Sequence, residues 1–215
     1  YTDYEHREIE GGEVGTTFKN KGYEARVEAR HVPLGPLNGV IGAQVNRNEF
    51  SALGEEAFVP QSDTNSGALF ILEELQATDR LVLSLGGRLE HTVIDPNAKG
   101  NDRFAAADSS SSFTAGSVSS GAVFTLTPIW SLAATLGYTE RAPTFYELYA
   151  NGAHVATGTY EVGNANLSKE KAVSSDLALR FDNGTHKGSF GVFYSHFSNY
   201  IGLLGTGRTL DDEGE

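Results

Sequence analysis

Apolar and polar residues exchange places at every second position through long stretches of this chain. Leu81, Leu83, Leu85, Leu89 and Val93 alternate with Ser84, Gly86, Arg88, Glu90 and Thr92. The same rhythm runs through Tyr23 to Arg30, Leu132 to Thr139 and Asp176 to Asp182. Successive side chains on a strand point to opposite faces, so each stretch has one apolar and one polar face. Nine strands are predicted, near residues 1–9, 16–32, 39–50, 66–77, 80–94, 115–127, 130–141, 171–183 and 186–200. One polar face carries Glu24, Arg26, Glu28 and Arg30, which cross-strand ion pairs on a wet surface would accommodate. Alternation suits a soluble sandwich and a membrane barrel alike.

The connections separate the two. Short turns are predicted at Val32 to Asn38, Ala77 to Asp79, Pro128-Ile129 and Asp182 to Thr185, from their Pro, Asn-Gly and Thr-Asp content. Long connections are predicted at Glu10 to Gly15, Ser51 to Asn65, Asp95 to Gly116 and Ala142 to Lys171. Short and long therefore alternate, which in an antiparallel barrel sends short turns to one rim and long loops to the other. The strands, about ten residues or more, suit a tilted bilayer crossing, whereas soluble strands average about five or six. Backbone groups in lipid must all be paired, so such strands close into a barrel. The expected fold is all-β: an antiparallel transmembrane β-barrel segment with short periplasmic turns and long extracellular loops. Trp130, Tyr138, Phe181, Tyr194 and Tyr200 lie near strand ends or on apolar faces, where interface girdles form. The Ala-, Ser- and Gly-rich stretch from Ala106 to Ser120 reads as a flexible loop entering a strand.

Composition narrows the picture. The hydrophobic residues, 39% of 215, are scattered and give no apolar run approaching the roughly 18 residues of a membrane helix. Cysteine is absent, so there is no disulfide framework and no thiolate metal site. The formal net charge is -12, which argues against nucleic acid as a partner. Methionine is absent and Leu210 to Glu215 is an acidic run; residues 1–215 are expected to be an internal fragment of a longer chain.

Three stretches carry a family resemblance. Asp3-Tyr4-Glu5-His6 with Glu8 to Phe18, and Phe50 to Pro60, resemble barrel segments of TonB-dependent receptors. The most specific is Thr139-Glu140-Arg141-Ala142-Pro143 followed by Glu147-Leu148-Tyr149, then His154, Gly158, Glu161, Gly163-Asn164 and Leu167. Within that family the chain is most similar to the zinc-uptake, ZnuD-like receptors. The resemblance implies a multi-pass barrel of about 22 strands in the bacterial outer membrane, with a plug in its lumen. The plug domain and the C-terminal strands would lie outside residues 1–215. It implies outer-membrane lipid as surroundings and TonB–ExbB–ExbD as the energy-coupling partner, reached through the plug. It also implies a metal ion or metal chelate as cargo, with zinc as transported substrate and no permanently bound cofactor.

The chain has six histidines. Alternation places His31 and His91 with the apolar residues near strand ends, as interfacial groups. His186 lies beside a short turn, His196 late in a strand, and His6 in a strand near Glu5 and Glu8. His154 alone sits in a long outer loop. Zinc accepts imidazole nitrogen and carboxylate oxygen, yet no His-x-x-x-His cluster is present, so distant segments must supply the ligands. By resemblance to the zinc receptors, the barrel ligands are one His and one Glu, at His154 and either Glu55 or Glu56. Neutral His and ionised Glu bind metal, so affinity falls on acidification. Both segments are also ordinary candidates for solvated loop. Arg141 and Glu147 are positioned to pair at the rim, and Gly12, Gly54, Gly152, Gly163 and Gly205 to adopt unusual loop dihedrals.

No Gly-x-Ser-x-Gly, phosphate-cradling or His-Glu-x-x-His motif occurs, and no enzyme activity is expected. A siderophore or haem-iron receptor of the same family is the alternative, with His154 as an axial ligand or Tyr146, Tyr149, Tyr160 and Arg141 lining the mouth. A passive porin and a soluble sandwich module stand further off.

Overall fold

The structure, a computed structural model, describes residues 1–10, 12–54, 57–98, 101–107, 109–154 and 157–207. Nine long strands form one antiparallel sheet: β1 (Thr2–Glu10), β2 (Glu13–Arg30), β3 (Leu37–Leu53), β4 (Gln61–Thr78), β5 (Leu81–Asn97), β6 (Ser111–Thr127), β7 (Trp130–Arg141), β10 (Glu170–Asp182) and β11 (Lys187–Ser198). Each strand pairs with the next long strand in sequence, so the sheet is a plain meander. A short 3-10 helix (Asp102–Ala107), helix α1 (Phe145–Tyr149) and the hairpin β8 (Asn151–His154) and β9 (Thr159–Val162) occupy two of the long connections. No helix among the described residues is long and apolar enough to cross a membrane.

Strict exchange of short and long connections fails at one place. β1 and β2 stay paired as far as Glu10 opposite Glu13, so a tight hairpin replaces the long connection expected from Glu10 to Gly15. β3 to β6 run further than the alternation predicted, whereas β7 matches it and β11 is shorter. β4 starts at Gln61 and β6 at Ser111, because the serine-rich start of β6 is carried by its pairing to β5, with Ser111 opposite Ile94.

The register sorts every strand residue onto one of two faces. On the outer face lie exposed Val27, Val45, Leu69, Leu89, Leu136, Leu177 and Val192. Polar residues bound this apolar band at the end bearing the long connections: Arg47, Asn65, Asp95, Glu140 and Lys171. At the opposite end Trp130 packs on Phe181, ring centroids 4.9 Å apart. The band is staggered. Its polar edge falls just beyond Val45, whose rung holds Gly67 and His91, but beyond Tyr138 on β7, whose rung runs through Val118, Gly87 and Ile71 to Ile41. Such a drift is what strand tilt and shear produce in a barrel wall.

The inner face carries the polar set. Arg26 bonds Glu28 (2.6 Å) and Gln44 (3.3 Å), Gln44 bonds Glu24 (2.8 Å), and Arg88 reaches Gln44 (3.2 Å) and pairs with Glu90. The Arg26 guanidinium also lies over Phe70, 4.1 Å from its centroid. The charges expected to pair across strands thus pair mostly two residues apart on one strand, with Gln44 bridging neighbours.

The long connections fold onto this inner face at one end. Phe58 and Val59 pack with Phe18, Ala52 and Ala150. Phe104 and Ala107 pack with Ile94, Leu148 and Tyr149. Phe145 touches both groups and lies 4.6 Å from the Phe50 ring. Gly163 is needed here for closeness, not for its dihedral: a Cβ on it would meet the Leu148 backbone at 2.7 Å.

An ionic clasp ties this cap to the wall. Arg141, ending β7, donates two hydrogen bonds to Glu147 on α1 (2.9 and 3.0 Å) and also pairs with Glu170 (3.4 Å). Glu147 in turn accepts the Thr144 N–H that opens α1 (2.7 Å), which suits a carboxylate at a helix start. Burial pushes the Glu147 carboxyl up, but the Arg141 and Thr144 donors outweigh it and hold the group below the usual carboxylate range. A lowered folded value means the clasp is fully present above the ordinary glutamate range and is lost as pH falls through the lowered value. We therefore expect amide protection factors over residues 144–150 to stay high from neutral pH into the ordinary glutamate range and to fall below it. Glu147→Gln is expected to raise exchange there about tenfold at neutral pH, for a half-exposed charge-assisted pair worth about 1.5 kcal/mol.

Candidate functional site

The cap brings three separated segments around His154. β8 and β9 pair with Gly152 opposite Glu161 and His154 opposite Thr159, and Gly158, at φ 63°, lies in the connection between them. This hairpin sets Glu161 beside His154, with Oε1 2.8 Å from Nδ1. The Phe58 ring, from the β3–β4 connection, stacks on the imidazole at 4.4 Å and 16°. The His154 side chain keeps 25% of its surface exposed, Glu161 only 13%.

Asn151 stitches the segments together. Its N–H donates to the Phe58 carbonyl (2.7 Å), its amide nitrogen to the Arg103 carbonyl (2.6 Å), and its side-chain oxygen accepts the Tyr160 hydroxyl (3.1 Å). Arg103 donates to the Ala57 carbonyl (3.0 Å). Gly152 is close-packed: a Cβ there would stand 2.9 Å from the Phe58 Cα. Of the five glycines expected to adopt unusual dihedrals, Gly12 (φ 92°) and Gly54 (φ 139°) have positive φ; Gly152 and Gly163 serve close approach.

The site residues read from sequence fall unevenly. His154 is held at the cap as described. Glu55 and Glu56 lie outside the described residues; they directly precede Ala57 and Phe58 in the chain, and Phe58 touches His154. Among the described residues no three His, Cys, Asp or Glu side chains gather as a metal cluster. Glu161 and Phe58 were missed as contributors. Glu161 appeared only within a resemblance pattern, although a Gly between two short β-prone runs is a hairpin signal that would have set it across from Gly152. The remaining histidines are elsewhere. His6 stacks on Phe18 at 4.7 Å, His31 pairs with Glu73 at 3.1 Å, and His91 meets Thr114 at 2.9 Å.

Residues 3–214 match the family described as TonB dependent receptor-like, beta-barrel. Among solved structures the chain is similar to the copper transporter OprC, with 17% identity and a TM-score of 0.68 over 84% of this chain and 30% of that one. It is similar to the siderophore receptor PirA from Pseudomonas aeruginosa, with 19% identity and a TM-score of 0.59 over 85% and 32%. It also resembles a double mutant of the Serratia marcescens hemophore receptor HasR, solved with its hemophore HasA and heme, with 15% identity and a TM-score of 0.64 over 86% and 34%. At these identities the likeness is one of fold, and the chain spans about a third of the length of each. With the family model matched over residues 3–214, the chain belongs to the TonB dependent receptor-like β-barrel family.

Proposed function

We propose that this chain is part of the barrel of an outer-membrane receptor that takes up a metal, zinc, into the periplasm under TonB–ExbB–ExbD drive. The observation that carries the reading is the His154 site. An imidazole with one nitrogen tied to a carboxylate and its face on an aromatic ring is arranged as a ligand, and residues 55–56 leave the same short segment that supplies Phe58. Zinc takes imidazole and carboxylate together. The ion would be cargo, bound at the mouth by His154 with Glu55 or Glu56 and completed by plug residues from the rest of the receptor. The sheet edges β1 and β11 each pair on one side, and further strands of the same receptor would close the wall. The names of the similar proteins support metal or metal-chelate cargo in general: a copper transporter, a siderophore receptor and a hemophore receptor. Exposed Tyr146 and Tyr160 on the cap favour the second reading, a flat aromatic chelate such as haem or a ferric siderophore.

Two measurements on the intact receptor test these statements. His154→Ala is expected to weaken zinc binding at least tenfold by calorimetry; unchanged affinity would sink the zinc assignment, and retained haem or siderophore binding with none for zinc would move the chain to the second reading. For membrane placement, Leu69→Arg on the outer apolar band is expected to lower the stability of the vesicle-inserted receptor by about 2–4 kcal/mol, and Ser112→Arg, on the same face beyond the band, by about 1 kcal/mol or less. Equal costs at both positions in denaturant unfolding would count against a lipid-facing band.

A further inference from the structure

We infer that Glu161 is a positioning residue that fixes which nitrogen of His154 is offered to a cation, with Phe58 fixing the plane of the ring. The inference rests on reading the site as metal-accepting. An ionised carboxylate only accepts hydrogen bonds, so the nitrogen 2.8 Å from Glu161 Oε1, Nδ1, carries the proton. In the neutral ring the lone pair then sits on Nε2. Rotation about the ring's own axis is stopped by this bond. Tilting is stopped by the Phe58 face, 4.4 Å away and only 16° from parallel.

Neither support is loose. Phe58 is anchored by Asn151, whose N–H reaches its carbonyl at 2.7 Å, and it can approach because Gly152 has no side chain. Glu161 is set by its register opposite that same Gly152 and is mostly buried. One glycine thus clears the space for the ring's floor and pairs with the residue that holds its edge. A histidine pinned at Nδ1 and along one face presents Nε2 in one direction before any ion arrives. That lowers the ordering cost of binding, and the adjacent carboxylate raises the basicity of the ligating nitrogen.

The test uses the full-length receptor in detergent, zinc ion alone as probe, and receptor labelled with ¹⁵N only in histidine. In the parent protein the His154 signals should be those of the Nδ1–H tautomer. In Glu161→Ala the Nε2–H tautomer should become dominant and zinc affinity should fall about 10- to 100-fold. Glu161→Gln, whose amide oxygen can still accept from Nδ1, should keep the tautomer and lose less affinity. The double variant Glu161→Ala with His154→Ala should bind zinc no more weakly than His154→Ala alone, since Glu161 acts through the ring. An unchanged tautomer in Glu161→Ala would overturn the inference, as would a double variant weaker than His154→Ala, which would make Glu161 a ligand itself. If His154→Ala leaves zinc affinity intact, the zinc reading falls. The tautomer switch then decides alone whether Glu161 positions His154.

Discussion

Cross-strand hydrogen bonding with a two-residue side-chain period leaves each strand residue two choices, and nine strands make the choice together. Once β3 and β4 pair with Val45 opposite Gly67, Leu69 must face the same way as Val45, and Gln44 the same way as Arg26. A slip of one residue would move Leu69, Leu89 and Leu136 to the face carrying Arg26, Arg88 and Glu90. The two sets cannot trade places, because no single solvent satisfies both. The outer band needs an apolar surrounding, while the inner ions are satisfied by one another and by Gln44. Register is thus the constraint from which the two-sided wall follows.

The cap depends on that wall in turn. Three connections come from the same rim because antiparallel strands return every second loop there, and they cohere because the inner face at that rim turns apolar. Phe18, Phe50, Ala52 and Ile94 replace the ions found further down. Loop hydrophobes Phe58, Phe104, Leu148 and Tyr149 have somewhere to go, and burying them fixes the backbone well enough for Asn151 to bridge two loops. The clasp from Arg141 to Glu147 adds direction as well as strength, its arginine partly exposed and its carboxylate mostly buried. It points α1 inward at the end of β7.

The strands and their order were legible in the sequence because period two is a signal repeated over many residues, and nine strands near the expected positions form the sheet. What escaped was short or unpatterned. α1 has five residues and β8 and β9 four each, too few for a period to show. Ser111 to Thr114 looks like loop by composition and is strand because it pairs with β5. The β1–β2 hairpin was hidden because Glu10 to Gly15 reads as a long connection, although its paired glycines also mark tight reversals. His154 could be singled out as the one histidine in a long loop, but its partners could not. Phe58 lies almost a hundred residues earlier in the chain, and nothing local tells a reader that two loops of one rim will touch.

That separation divides the chain into two kinds of sequence. The wall is fixed by register and tolerates little, whereas the site is assembled from loops whose sequences are free of the two-face rule. Phe58, Arg103 and Glu161 each come from a different connection or hairpin strand and meet through contacts such as Arg103 to the Ala57 carbonyl and Glu161 to His154. The same wall in the copper transporter, the siderophore receptor and the hemophore receptor, at identities of 15–19%, is what such a division would produce. The fold follows from a constraint acting on every strand residue, and a few loop residues lie where that constraint does not act.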